Sequence, residues 1–171
     1  VSPASGQVGT VVTLTGTNLR GNGENVTQVK LGDAVAEIVA ENNTHVVLAA
    51  SVGPSDNTDV DVVITANSGA YVTLADGFEY LEPGEVLLVD PEQGQEGTEI
   101  TIVGARMCGG GSVIATVTLC GLEADIDSGN CNLVKVVAND LGAQVTGDVV
   151  LISDTGSIVT GTNLFEYLGV G

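Results

Sequence analysis

The sequence predicts an all-β protein made of two tandem β-sandwiches, and three observations carry that prediction. The first is composition. Hydrophobic residues make up 43% of the 171, mostly Val, Ile, Leu and Ala, with 24 Gly and no Trp. Val and Thr richness broken by frequent Gly favours strands over helices. The second is period: apolar and polar residues alternate in short runs, and no segment keeps a helical repeat. The third is self-similarity. Laid at an offset of 88, residues 1–50 match 89–138 without a gap.

The self-match is read position by position. Pro3 falls on Pro91, Gly6 on Gly94, Gly9 on Gly97, Thr10 on Thr98, Thr13 on Thr101 and Gly16 on Gly104. Ala36-Glu37-Ile38 falls on Ala124-Asp125-Ile126. Beyond that the offset is 87: Asp61-Val62-Val63-Ile64 meets Asp148-Val149-Val150-Leu151, and Phe78-Glu79-Tyr80-Leu81 meets an identical 165–168. A match of this length means two copies of one module. Glu82-Pro83-Gly84-Glu85 marks the turn between them, so the expected domains are 1–82 and 83–171. With so short a linker, the modules are expected end to end with limited freedom.

Within the first module, Val11–Thr15 reads as a strand with Val12 and Leu14 inward. Asn25–Leu31, Ala34–Val39, His45–Ala50, Asp59–Thr65 and Ala70–Leu74 follow, and Phe78–Leu81 closes it. Gly, Asn, Asp and Pro fill the turns between. Phe78 and Tyr80, two apart, share one face and supply most of the large aromatic area of the core. Gly9 and Gly16 read as positions whose backbone conformation a Cβ would strain.

Taken in order, these residues resemble a known family. Pro3-x-x-Gly6-x-x-Gly9-Thr10-x-Val12-Thr13-Leu14-x-Gly16-Thr17-Asn18-Leu19 is similar to the opening of IPT/TIG domains. Val29-x-Leu31-Gly32, Thr44-x-Val46-Val47, Val60-x-Val62-Val63-Ile64 and Phe78-x-Tyr80 fit as well. The resemblance covers both modules. The second departs with Ala105-Arg106-Met107 for Thr-Asn-Leu and with Cys120-Gly121 for Gly-Asp. The resemblance implies an immunoglobulin-like sandwich in each copy, and settings such as receptor ectodomains, carbohydrate-binding appendages of enzymes or transcription factors. Neither copy has the Trp and paired inter-sheet Cys of antibody-type domains.

Charge narrows these settings. Asp and Glu number 22 against 4 Lys and Arg, for a net charge of −18. A phosphate backbone is repelled by such a surface, so nucleic-acid partners are excluded, and anionic membranes are disfavoured. No apolar run approaches the ~18 residues of a membrane span, so no membrane insertion is expected. Residue 1 is Val and no signal peptide precedes it, which reads as a processed chain or a segment. No phosphate loop, CxxC, HExxH or nucleophile motif accompanies the single His45, so no enzymatic activity is expected.

Cys108, Cys120 and Cys131 all lie in the second module. Three thiols allow one internal bridge at most. Cys120 ends one strand and Cys131 begins a later one, with Leu122–Asp127 running back over about 20 Å between them. Cys108 sits in the loop at the same end as Cys131. The expected disulfide is Cys108–Cys131, with Cys120 unpaired or joined to another chain; three reduced thiols in a cytosolic protein is the alternative.

Glu123, Asp125 and Asp127 alternate along one predicted strand face. The plainer reading is a solvated face; the sharper one is a weak Ca²⁺ site, and a structural Ca²⁺ is the one cofactor considered. Asp56, Asp59 and Asp61 raise the same question, as do Glu82, Glu85, Asp90 and Glu92 near the linker. Asn25-Val26-Thr27 and Asn42-Asn43-Thr44 are glycosylation acceptor triplets, at Asn25 and Asn42.

The two starts differ. Val86-Leu87-Leu88 precedes Val89-Asp90-Pro91, whereas the first module opens on Val1-Ser2-Pro3. A sheet lacking that strand leaves an edge that a neighbour's segment could fill, the tail 169–171 being one candidate. The functional expectation is a non-enzymatic structural or adhesion protein, extracellular or on the cell surface, with itself as partner in a head-to-tail filament or with neighbouring modules in a longer array. The alternative is a ligand- or carbohydrate-binding module or receptor segment. Tyr71 is then the one aromatic free to stack on a sugar.

Overall fold

Val12 and Leu14 are buried while Val11, the first residue of the same strand, stays exposed, and that alternation sets the first layer. The computed structural model describes residues 1–169. The chain divides into two compact units, Val1–Pro83 and a second beginning at Gly84.

In the first unit the strands are β1 (Ser5–Gly6), β2 (Val11–Thr15), β3 (Val26–Leu31), β4 (Ala34–Glu41), β5 (His45–Ala49), β6 (Thr58–Ala66) and β7 (Tyr71–Tyr80). Their order is β1-β7-β6-β3-β4-β5-β2. β4 belongs to two ladders. Its Ala34–Ala36 pairs with β3, and from Glu37 onward it pairs with β5. That crossing folds the strand series into two facing layers, β1-β7-β6-β3 and β5-β2. Val12, Leu14, Val46 and Leu48 from one layer meet Val29, Leu31, Val62, Ile64, Phe78 and Tyr80 from the other. The rings of Phe78 and Tyr80 pack edge to face with centroids 5.2 Å apart, a geometry that adds about 1 kcal/mol beyond burial.

The second unit has β8 (Glu85–Asp90), β9 (Gln93–Gly94), β10 (Glu99–Ala105), β11 (Ile114–Leu119), β12 (Leu122–Asn130), β13 (Leu133–Val137), β14 (Val145–Ser153) and β15 (Ile158–Tyr167). The order β8-β10-β13-β12-β11-β14-β15-β9 repeats the first unit with β8 added at the edge. β12 crosses between layers as β4 does, from β11 to β13 after Ala124. Phe165 and Tyr167 repeat the edge-to-face pair at 5.2 Å. Both units are immunoglobulin-like β-sandwiches, with no helix among the described residues.

Two readings need correction. Ala70–Leu74 and Phe78–Leu81 are not separate strands but one, β7, kinked in the middle. Val60 faces Phe78 and Val62 faces Leu74, so Ala75-Asp76-Gly77 bulges out opposite Asp61. Gly9 does take a left-handed conformation, at φ 86, but Gly16 does not. Gly16 instead lies close under Leu19: a Cβ there would come within 2.7 Å of Leu19 Cδ2, so the leucine side chain would have to shift.

Candidate functional site

The polar residues of each unit converge on two places, a kinked strand and a tethered loop. At the kink, Asp76 holds φ 48 and Asn163 holds φ 53, conformations that Asp and Asn tolerate better than other residues with a Cβ. The Asp76 N–H donates to Asp61 Oδ1 at 3.0 Å, and the Asn163 N–H to Asp148 Oδ1 at 2.9 Å. Asp61 therefore caps a bulge. The signal for this role was the pairing of Asp61 with Asp148 in the repeat, which periodicity alone does not interpret.

At the loop, the Leu19 N–H donates to Asn43 O at 3.0 Å, and the Met107 N–H to Cys131 O at 3.0 Å. In the first unit Arg20 then grips Glu41 with two bonds, Nε to Oε2 at 3.0 Å and Nη2 to Oε1 at 2.9 Å. Glu41 Oε2 also accepts the Val26 N–H at 3.2 Å. The hydrogen bonds from Arg20 hold the Glu41 carboxyl below its ordinary value against the opposing effect of burial. In the second unit the loop is held covalently: Cys108 and Cys131 form a disulfide with Cα atoms 5.0 Å apart.

Cys120 is the free cysteine, half-buried in the turn after β11. Its thiol lies 3.3 Å from Phe165 O. Burial, with Asp148 adding to it, pushes its pKa up, so the thiol stays protonated and is a poor nucleophile at neutral pH.

Glu123, Asp125 and Asp127 lie exposed on β12, spread along the strand. Among the described residues no group of three or more His, Cys, Asp or Glu is placed to hold a metal ion. The strand rise of about 3.3 Å per residue separates alternate carboxylates by roughly 7 Å, too far to share one cation closely. His45 is exposed at the start of β5, with Nδ1 2.9 Å from Thr44 Oγ1. Asn25 and Asn42 are both exposed. Asn42 Oδ1 accepts the N–H groups of Thr44 and His45, each at 2.8 Å, and so closes its own turn. Among the described residues no helix is long and apolar enough to cross a membrane.

The edges of the two units differ. β8 pairs antiparallel with β10, and it packs against β15 as well. Among the described residues, β2 has only the Ser2–Thr13 bridge on that side. Beneath β8, Val159 is 2% exposed; its counterpart Val72 is 45% exposed, and Leu74 beside it 51%. Tyr71 stands next to them at 73%.

Residues 1–80 match the family model of the IPT/TIG domain. The IPT/TIG unit thus spans β1 to β7. Two solved structures of the Plexin A4 full extracellular region are similar in fold. One covers 96% of this chain at 22% identity with a TM-score of 0.59, the other 98% at 16% with 0.52. This chain spans only 15% and 17% of the length of those two. The SGBP-B of the Bacteroides ovatus mixed-linkage glucan utilization locus, solved with a mixed-linkage heptasaccharide, covers 97% of this chain at 18% identity and a TM-score of 0.40; this chain spans 42% of its length. No curated protein matches the sequence.

Proposed function

We propose that the chain is a non-enzymatic extracellular structural or adhesion protein whose second unit is an IPT/TIG domain like its first. The observation that carries the extracellular placement is the Cys108–Cys131 disulfide, because such bridges persist in oxidising compartments and are rare in the cytosol. The structural role is supported by how the polar groups are spent. Asp61, Asp148, Arg20, Glu41 and Asn42 each hold a kink, loop or turn, and none points with another into a reaction centre. The Plexin A4 structures come from an extracellular region, and a shared fold supports the same kind of setting here.

The chain works as a spacer or fibre subunit, joined head to tail with its own copies or standing in a longer array. Intact mass of native, unreduced material tests the placement. The expected result is a mass two hydrogens below the fully reduced chain, with glycan added at Asn25 or Asn42 where the source glycosylates. A fully reduced mass from freshly isolated native protein rejects it. One observation favours the second reading, a carbohydrate-binding module: Tyr71 is an exposed aromatic on an open face. Glycan-array binding lost in Tyr71→Ala would support that reading instead.

A further inference from the structure

The register of the first unit lays two rows of side chains on the outside of its larger layer. Ile64 is buried and stands opposite Val72, so Thr65 and Tyr71, the next pair along the ladder, face away from the core. Thr65 stands opposite Gln28 on β3. Tyr71, Thr65 and Gln28 thus form a row across three strands, roughly 10 Å from end to end at a strand spacing of about 4.8 Å. Beside it runs a second row, with Thr73 opposite Val63 and Val63 opposite Lys30. Neither row holds a carboxylate, in a chain with 22 Asp and Glu.

This face is particular to the first unit. The second unit has Ile158 in the place of Tyr71, Thr116 in that of Gln28 and Thr118 in that of Lys30, in the same register. It keeps the platform and lacks the aromatic ring, the amide and the amine. The outward exposure does not depend on a missing strand at the edge of the first unit. Ile158 is 37% exposed although β8 packs against β15, and Tyr71 in the same place is 73% exposed. Among the described residues no hydrogen bond or ion pair engages the side chains of Tyr71, Gln28 or Lys30. Arg20, Glu41 and Asp61 of the same unit are all engaged in holding the fold.

These groups select a class of ligand. The Tyr71 ring offers an apolar face and a polar tip, which suits the C–H face of a sugar ring. Gln offers donors and an acceptor, and Lys three donors, which suit neighbouring hydroxyls. A purely apolar partner would strip water from Gln28 and Lys30 and give nothing back. A polyanion is repelled by a net charge of −18. An uncharged chain rich in hydroxyls meets neither penalty, and the length of the row calls for more than one ring. We propose that the outer face of β7, β6 and β3 binds a neutral oligosaccharide, with one ring stacked on Tyr71 and the hydroxyls of the next bonded to Gln28 and Lys30. This deepens the carbohydrate-binding reading above and rests on it.

Titration calorimetry of the full chain with cellohexaose, maltohexaose, chitohexaose and mannohexaose tests the proposal, with a heparin oligosaccharide as the acidic counterpart. The expected result is binding to at least one neutral oligosaccharide and none to heparin. Tyr71→Ile should abolish that binding, and Gln28→Thr and Lys30→Thr should each weaken it about tenfold. These are the residues that the second unit carries in the same register, so the fold should hold, and a thermal melt of each variant checks it. Binding that survives the three changes together overturns this face and leaves the carbohydrate reading standing. Binding to heparin alone overturns the ligand class. No binding to any of these sugars overturns the face and the carbohydrate reading together.

Discussion

Arg20 donates its backbone N–H to Asn43 Oδ1 at 3.1 Å, and these two residues stand at the positions that Cys108 and Cys131 bridge in the second unit. One loop is thus tethered in two chemical ways on one backbone. The equal 3.0 Å bonds from Leu19 to Asn43 and from Met107 to Cys131 show how closely the frames agree. The double variant Arg20→Cys/Asn43→Cys should therefore close a new disulfide in the first unit. Closing a loop of this length stabilises by about 3 kcal/mol in the chain-entropy model, less whatever the lost Arg20–Glu41 pair contributed. The check is a thermal melt with and without reductant: the new bridge should raise the oxidised melting temperature above the reduced one in the first unit.

The same tether gives the first unit a pH dependence. Arg20 holds the Glu41 carboxyl below its ordinary value by hydrogen bonding, and the Val26 N–H helps. A carboxyl whose pKa is lowered on folding stabilises the fold above its unfolded pKa. That stabilisation fades as pH falls through the folded pKa. Between about pH 5 and pH 3, the wild type should lose more stability than Glu41→Gln, which has no proton to bind there. Melting curves of both proteins at the two pH values isolate the difference, because the other carboxylates are common to both. Equal losses would show that the pair does nothing for stability.

How much of this was legible beforehand follows from what each kind of residue signals. Val12-x-Leu14 announces its strand because burial of one face imposes a period of two, and both are buried as read; Val62-x-Ile64 in the expected strand Asp59–Thr65 shows the same burial. The kink at Asp76 carries no such period. It joins two runs that periodicity separates, and only the ladder to β6 shows them to be one strand. Arg20 and Glu41 lie 21 residues apart, and nothing local predicts their meeting; β4 brings them together by running on to Glu41. The carboxylates of β12 illustrate the reverse failure. Alternation puts Glu123 and Asp125 on one face, but a strand spreads such residues apart instead of converging them on a cation.

The bulge caps are testable one unit at a time. Asp61→Ala removes the acceptor of the Asp76 N–H, and Asp148→Ala that of Asn163. Each bond is exposed, so each loss should cost about 1 kcal/mol. Asp61→Asn keeps an acceptor oxygen and should cost less. At the kink itself, Asp76→Val places a β-branched side chain at φ 48 and should cost a further 1–2 kcal/mol or so, whereas Asp76→Gly should be near neutral. Denaturant unfolding measures all five. Asp76→Gly as damaging as Asp76→Val would place the cost in the side chain and not in the backbone.

The last contrast lies in the two buried tyrosines. Tyr80 and Tyr167 are each 1% exposed and occupy the same position in the two cores. Tyr80 donates its hydroxyl to Ser51 O at 3.1 Å, while the Tyr167 hydroxyl has no partner among the described residues. Burial raises the pKa of both, so both stay neutral and uncharged at ordinary pH. Removing a paired hydroxyl leaves its acceptor unsatisfied, whereas removing an orphan removes only a desolvation cost. Tyr80→Phe should therefore destabilise the first unit by about 1 kcal/mol, and Tyr167→Phe should leave the second unchanged or slightly more stable. Equal losses in the two variants, read from denaturant melts that follow each unit separately, would mean that the Tyr167 hydroxyl is satisfied after all, by a group the protein does not itself supply.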